Sequence, residues 1–256
     1  KQQIQDALVN ERLDVNTKMS ILARYIMQLQ RSKQDIDGAN TLFQTLLGQH
    51  PDESRLKLVY GEFLATQNKF DEARFQYQLV TESEPENINA WQQLLRLSLQ
   101  TQDMDEVIRI CQKCQEIFPD AMEFRFYLGI AYYQKQDYQL AIETYQEGIP
   151  HIPKENLGLI SDFYGQIGDT YFRIKDIDKA FERYQEVLSF GYLAQVQESD
   201  LKEAMIKIYI LKKEYDKALE YANDCLWLAE SLGDPFIYVL AWNSFAEIHR
   251  AQGLYK

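Results

Sequence analysis

Cysteine is scarce, with three in 256 residues. That number is too small for a disulfide framework. Cys111 and Cys114 have C-x-x-C spacing. Redox use needs the first sulfur at a helix N-terminus, where the thiolate is stabilised. Both fall inside an expected helix instead, so they read as small packed hydrophobes, as does Cys225. The three histidines, His50, His151 and His249, lie far apart, and none has a partner at i+3 or i+4 to suggest zinc. His50 and His151 stand beside prolines and are expected in solvent; His249 is expected to be partly buried. There is no G-x-S-x-G, H-E-x-x-H or P-loop. The chain therefore reads as non-enzymatic and free of cofactors. Basic residues are outnumbered, 27 against 39 acidic, and no basic stripe offsets this. An acidic surface repels phosphate backbones, so nucleic acid is left out of the expected partners. No apolar run approaches the ~18 residues that span a bilayer. The chain opens at Lys1 without methionine and stops at Lys256. Both are expected to be processing or truncation ends, so the lack of a signal peptide says nothing of the native gene.

Proline is also sparse, but four of the six recur at a fixed interval: Pro51, Pro85, Pro119 and Pro153, each 34 residues after the last. A fixed period of this length marks a stack of one small unit rather than a single globular core. With the proline as position 32, units start at Ser20, Ser54, Ile88 and Met122. After small insertions, further starts fall near Ser161, Ser199 and Val239. Position 20 holds Ala39, Ala73, Val107, Ala141, Ala180 and Ala218. Position 24 holds Phe43, Tyr77, Cys111, Tyr145, Tyr184 and Ala222, and position 8 is Gly61, Gly129, Gly168 or Ala246 in four copies. Spacing within a unit is helical: Phe124, Leu128, Ala131 and Tyr132 form one stripe, and Ala141, Tyr145 and Ile149 the next. Asp137 is expected to cap the second helix, and Pro153 to stop it. Each unit thus reads as an antiparallel helix pair. Small residues at 8 and 20 should let the helices approach, with the aromatic at 24 filling space against the next unit.

The pattern of Leu128-Gly129, Tyr132, Ala141, Tyr145 and Pro153 resembles the tetratricopeptide repeat, and the likeness runs over roughly residues 20–256. It implies an all-α fold, a right-handed superhelical solenoid of antiparallel helix pairs. Residues 1–19 would be the remnant of a preceding unit, 20–153 four regular units, and 154–256 two longer units plus the first helix of a seventh. Met27 and Leu95 stand where glycine is usual and are expected to widen their pairs. The fifth and sixth units lack the proline, having Tyr192 and Glu230, and are expected to have longer helices. Asn16 or Thr17 is expected to cap the first full helix.

The resemblance implies that first helices line a concave groove through positions 2, 5, 9, 12 and 13. The expected partner-binding residues are Gln92, Arg96, Phe126, Ile130, Tyr133, Asp169, Phe172 and Arg173. Phe126, Ile130, Tyr133 and Phe172 should project to solvent as apolar anchors, flanked by Arg96 and Arg173 for a partner carboxylate or backbone carbonyls. The Lys and Asn set of a chaperone-tail clamp is missing: its places hold Arg24, Gln28, Val59 and Thr66, or Gln92, Arg96, Tyr127 and Gln134. The expected function is a scaffold that binds a peptide or protein segment. Stretches such as Gly129-Ile130-Ala131-Tyr132-Tyr133 resemble repeat proteins of Bacteroidetes cell envelopes, implying a periplasmic or envelope location. The stretch Glu214 to Asp234 resembles longer repeats fused to histidine kinases or transcription regulators, implying a sensor or dimerisation arm as the alternative. Trp242, Phe245, Ile248 and Tyr255 lie on a last helix without its partner, and homo-oligomers are expected to form through it.

Overall fold

The computed structural model describes residues 2–10, 12–32, 36–190 and 195–254, and every regular element among them is helical. A leading helix α1 (Gln2–Val9) precedes α2 (Val15–Ser32) and α3 (Ile36–Gln49), then α4 (Ser54–Thr66) and α5 (Phe70–Ser83), then α6 (Ile88–Gln100) and α7 (Met104–Ile117). There follow α8 (Met122–Gln134) and α9 (Tyr138–Gly148), the latter ending in a 3-10 turn at Ile149–His151. The rest are α10 (Leu157–Arg173), α11 (Ile177–Ser189), α12 (Gln195–Leu211), α13 (Tyr215–Leu232) and α14 (Pro235–Ala251). The helices gather into two compact units, Lys1–Pro119 and Asp120–Lys256. Tyr192, Tyr255, Lys1 and Lys256 lie outside the described residues.

One backbone device closes the helix pairs. Asn68, Gln102, Gln136, Lys175 and Lys213 have φ between 56° and 67°, and Gly253 has φ 75°. All six fall at position 15. The following amide reaches back five residues: Lys69 N–H to the Leu64 carbonyl at 3.1 Å, Asp137 to Tyr132 at 2.9 Å, Glu214 to Tyr209 at 2.9 Å. This is the Schellman closure, in which one left-handed residue satisfies the carbonyls a helix end leaves open. The next residue begins the second helix. Asp103 and Asp176 accept from the amides of Glu106 (3.1 Å) and Lys179 (3.4 Å). Asp137 stands at the same place, but its side chain makes no capping bond. The cap of α2 is Asp14, not Asn16 or Thr17: its carboxylate accepts from the Thr17 amide at 3.0 Å and the Thr17 hydroxyl at 2.6 Å.

Packing between paired helices is set by a trade of volume between positions 8 and 24. A Cβ added at Gly61, Gly129 or Gly168 would overlap the ring of Tyr77, Tyr145 or Tyr184 of the same unit. The glycine therefore makes room for its own tyrosine, rather than for the alanine at position 20. Tyr145 in addition meets Phe163 of the following unit at 5.7 Å, edge to face. In the third unit the volumes are reversed: Leu95 and Cys111 occupy the same two positions and both are buried. Ile206 and Ala222 repeat that reversal in the sixth. In these two repeats bulk at position 8 is matched by a smaller residue at 24, whereas in the first the buried Phe43 stands with Met27, which stays 53% exposed.

Cys111, Cys114 and Cys225 are buried and unoxidised. Burial pushes the Cys225 thiol up to about 11. His151 is exposed, as expected, and His249 half-buried, its Nδ1 3.2 Å from Gln252 Oε1. His50 departs from expectation: it is half-buried, with Nε2 3.3 Å from Nζ of the buried Lys18. That ammonium also donates to Gln49 Oε1 at 2.7 Å, so the pair anchors α2 to the end of α3.

Candidate partner-binding surface

The first helices of the second unit carry most of the expected groove residues. In the first unit, Gln92 is half-buried on α6, and Arg96 is exposed, its guanidinium donating to Gln93 Oε1 at 2.5 Å. The other six lie on α8 and α10.

The apolar anchors are not free in solvent. Phe126, Ile130, Tyr133 and Phe172 are all partly buried. The ring of Phe126 lies 5.4 Å from Phe163 and 6.0 Å from Tyr145, so it seals the joint between consecutive repeats while leaving one side open. Tyr133 meets Tyr138 at 5.6 Å, edge to face, and Arg173 Nε donates to the Tyr138 hydroxyl at 3.4 Å. Phe172 packs against the cluster around Ala180 and Tyr184. Packing does use these side chains: Phe126 at position 5 meets the next repeat, and Tyr133 at position 12 meets the second helix of its own pair.

Two of the expected residues, Phe126 and Asp169, line one recess of about 220 Å³. Its walls also include Ser161, Asp162, Gly165 and Tyr184 from α10 and α11, with Asp200, Leu201 and Ala204 from α12. A second depression of about 460 Å³ adjoins it and shares Phe126 and Asp162, with Glu123 and Pro153 on its border. The recess is acidic. The Tyr184 hydroxyl donates to Asp169 Oδ1 at 2.6 Å. Asp169 is exposed as a residue, with its Oδ1 engaged by the Tyr184 hydroxyl on the recess wall. Desolvation there raises its pKa; the Tyr184 hydrogen bond opposes the rise and the charge of Asp200 adds to it. Asp200 is raised as well, by desolvation and then by Glu203. Tyr184 is held protonated by burial and by the carboxylate it faces.

Asp200 is absent from the expected site residues, yet the sequence carries a signal for it. Position 2 is acidic in three successive repeats, Glu123, Asp162 and Asp200. The starts at Ser161 and Ser199 already place Asp162 and Asp200 in that register. Ile130, Tyr133, Phe172 and Arg173 do not reach the recess walls.

No group of three or more His, Cys, Asp or Glu that could hold a metal ion occurs among the described residues, and no described helix is long and apolar enough to cross a membrane.

Models of the tetratricopeptide repeat match residues 31–97, 88–155 and 161–190, together more than half of the chain. A MamA protein structure superposes with a TM-score of 0.57 at 22% identity, over 69% of this chain and 92% of that one. The Pseudomonas aeruginosa pilF structure does so at 0.55 and 14% identity, over 93% of this chain and 96% of that one. Both likenesses concern the fold. The human general transcription factor 3C polypeptide 3 is 25% identical over 161 residues, which is 60% of this chain but only 17% of that relative. With its tandem helix pairs, its recurring turn and these matches, the chain belongs to the tetratricopeptide repeat family.

Proposed function

We propose that the chain is a non-enzymatic interaction scaffold that binds an extended peptide or protein segment along the first helices of its second unit. The repeat fold supports protein binding in general. The observation that carries the finer reading is the pair of adjoining depressions sharing Phe126 and Asp162. Their walls carry the aromatics Phe126, Tyr127 and Tyr184 together with several carboxylates. A half-exposed aromatic in a concavity is the usual anchor of such interfaces. The formal net charge of −12 supports leaving nucleic acids out of the partner class. The role named for the human relative stays with that protein, of which the chain matches only a small part.

A peptide array of 12-residue segments, probed with the wild type and with Phe126→Ala plus Tyr133→Ala, tests this reading. Bound peptides should lose most of their signal on the double variant, with thermal unfolding recorded beside it. An array on which the wild type retains nothing above background would overturn the scaffold reading.

A dimerisation arm is the second reading, favoured by exposed large apolar side chains on the last two helices. Trp227, Phe236 and Trp242 are 67%, 66% and 61% exposed. Mass by light scattering at high concentration tests it, and a strictly monomeric mass would sink it. A place in a cell envelope rests on the sequence resemblance alone, and fractionation of native cells tests that.

A further inference from the structure

The recess on α8, α10, α11 and α12 has a size and chemistry that narrow what can enter it. At about 220 Å³ it is smaller than the roughly 300–1,000 Å³ of sites that enclose a whole small molecule. It suits one side chain. Its charged wall groups are Asp162, Asp169 and Asp200, with no lysine or arginine among the described wall residues. These carboxylates do not form a metal-holding group, so they surround a volume instead of converging on a point. Such an arrangement suits a diffuse organic cation better than a compact ion.

Two further features point the same way. Phe126 forms part of the wall, and an aromatic face beside carboxylates attracts a guanidinium or ammonium through its quadrupole. Ser161, also on the wall, is only 3% exposed, yet its Oγ has no hydrogen-bond partner among the described residues. A buried hydroxyl left unpaired is costly, and a small shift of the wall that brings it to an incoming N–H donor would satisfy it. The Tyr184 hydroxyl holds Asp169 in place at 2.6 Å, so this carboxylate is positioned before anything binds.

Resting on the scaffold reading above, we propose that the recess lined by Phe126, Ser161, Asp169 and Asp200 is a pocket for a single arginine or lysine side chain of the bound partner. Asp169 and Asp200 accept its N–H groups, and Phe126 covers one face. The partner segment is therefore basic at that point. This reverses the polarity of the sequence expectation, in which Arg96 and Arg173 meet a partner carboxylate.

The experiment is an amide NMR titration with N-acetyl-arginine-N-methylamide, against its uncharged citrulline analogue. Shifts at Gly165, Asp169 and Ala204 should saturate with the arginine probe and not with citrulline. Asp169→Asn keeps an acceptor for Tyr184, and with Asp200→Asn it should weaken binding by roughly tenfold or more. Glu143→Gln on α9, outside the recess, should leave binding nearly unchanged. Thermal unfolding of the two Asn variants, recorded beside the titration, separates lost binding from lost folding. Equal shifts with citrulline, or equal loss from Glu143→Gln, would overturn the pocket. On the peptide array, binding that ignores Lys and Arg content would also overturn it while leaving the scaffold reading intact. A blank array would remove the scaffold reading itself.

Discussion

The two units build the same helix pair from the same frame and present different chemistry. In the first, the first helices α4 and α6 are 13 residues long beside an α2 of 18, and the groove positions of α6 are neutral or basic: Asn89, Gln92 and Arg96. In the second, α8 keeps 13 residues while α10, α12 and α14 reach 17, and the groove positions of α10 and α12 carry Asp162, Asp169 and Asp200. Positions 20 and 24 are buried in both, and position 8 is buried except at Met27 and Ala246. The fold is thus indifferent to what positions 2 and 9 carry. The surface is free to be written by function, whereas the contact between helices is fixed by volume.

The largest expected effect lies in that fixed part. Tyr77→Ala in the first unit and Tyr145→Ala in the second should each cost about 3–5 kcal/mol, read by denaturant unfolding. Tyr145 also supports Phe126 and Phe163, so its loss should exceed that of Tyr77. Equal losses would show that the contact between successive repeats adds nothing. Next comes the reversed pair. Cys111→Tyr overfills the third repeat and should cost about 1–3 kcal/mol, and Leu95→Gly on the same chain should recover much of it. A double-mutant cycle without coupling would refute the volume trade.

The pH response should separate the units further. In the first, Glu53, Glu84 and Asp103 lie below the ordinary carboxylate range, through hydrogen bonds from Arg55, Ser54 and the Glu106 amide respectively. Their native forms bind protons less readily than the unfolded chain, so this stability is present near neutrality and lost as pH falls through the lowered values. In the second, Asp169 and Asp200 are raised above 3.8 by burial. There the native state binds more protons, so their contribution is full below 3.8 and lost as pH rises through the raised values. Asp176, lowered by its hydrogen bond from Lys179, opposes them in part. Asp169→Asn should flatten the second unit's response in unfolding curves taken from about pH 4 to 7. An unchanged slope would show that the recess does not strain its carboxylate.

The smallest effect concerns the turns. Gln136→Gly should gain about 0.5 kcal/mol, and Gly253→Gln should lose about 1 kcal/mol, because only glycine takes a left-handed φ without steric cost. Thermal unfolding of the two variants would show opposite shifts; shifts of one sign would rule out backbone strain as the cause.

The helix pairs were legible because prolines, alanines and tyrosines fall in phase, and phase survives without knowledge of contacts. The turn position was not. Asn68, Gln102, Gln136, Lys175 and Lys213 share no chemistry beyond polarity, since the left-handed bend is imposed by the main-chain bonds around it. Nor was the burial of Phe126, because one helical face serves both the groove and the next repeat. Of the groove residues, Phe126 and Asp169 come together at the recess, whereas Tyr133 and Arg173 gather instead around Tyr138. Asp200 shares position 2 with Asp162 in the sequence frame, but that register does not say that the two helices bring their carboxylates to one recess.

The three sealed thiols give each half of the molecule its own alarm. Cys111 and Cys114 belong to the first unit and Cys225 to the second, and all are buried. A water-borne alkylating reagent can reach them only when the surrounding helices part, and Cys225, with its thiol pushed up to about 11, stays unreactive until then. Mass spectrometry of which sulfur is tagged first would reveal which unit opens first, with no foreign probe introduced.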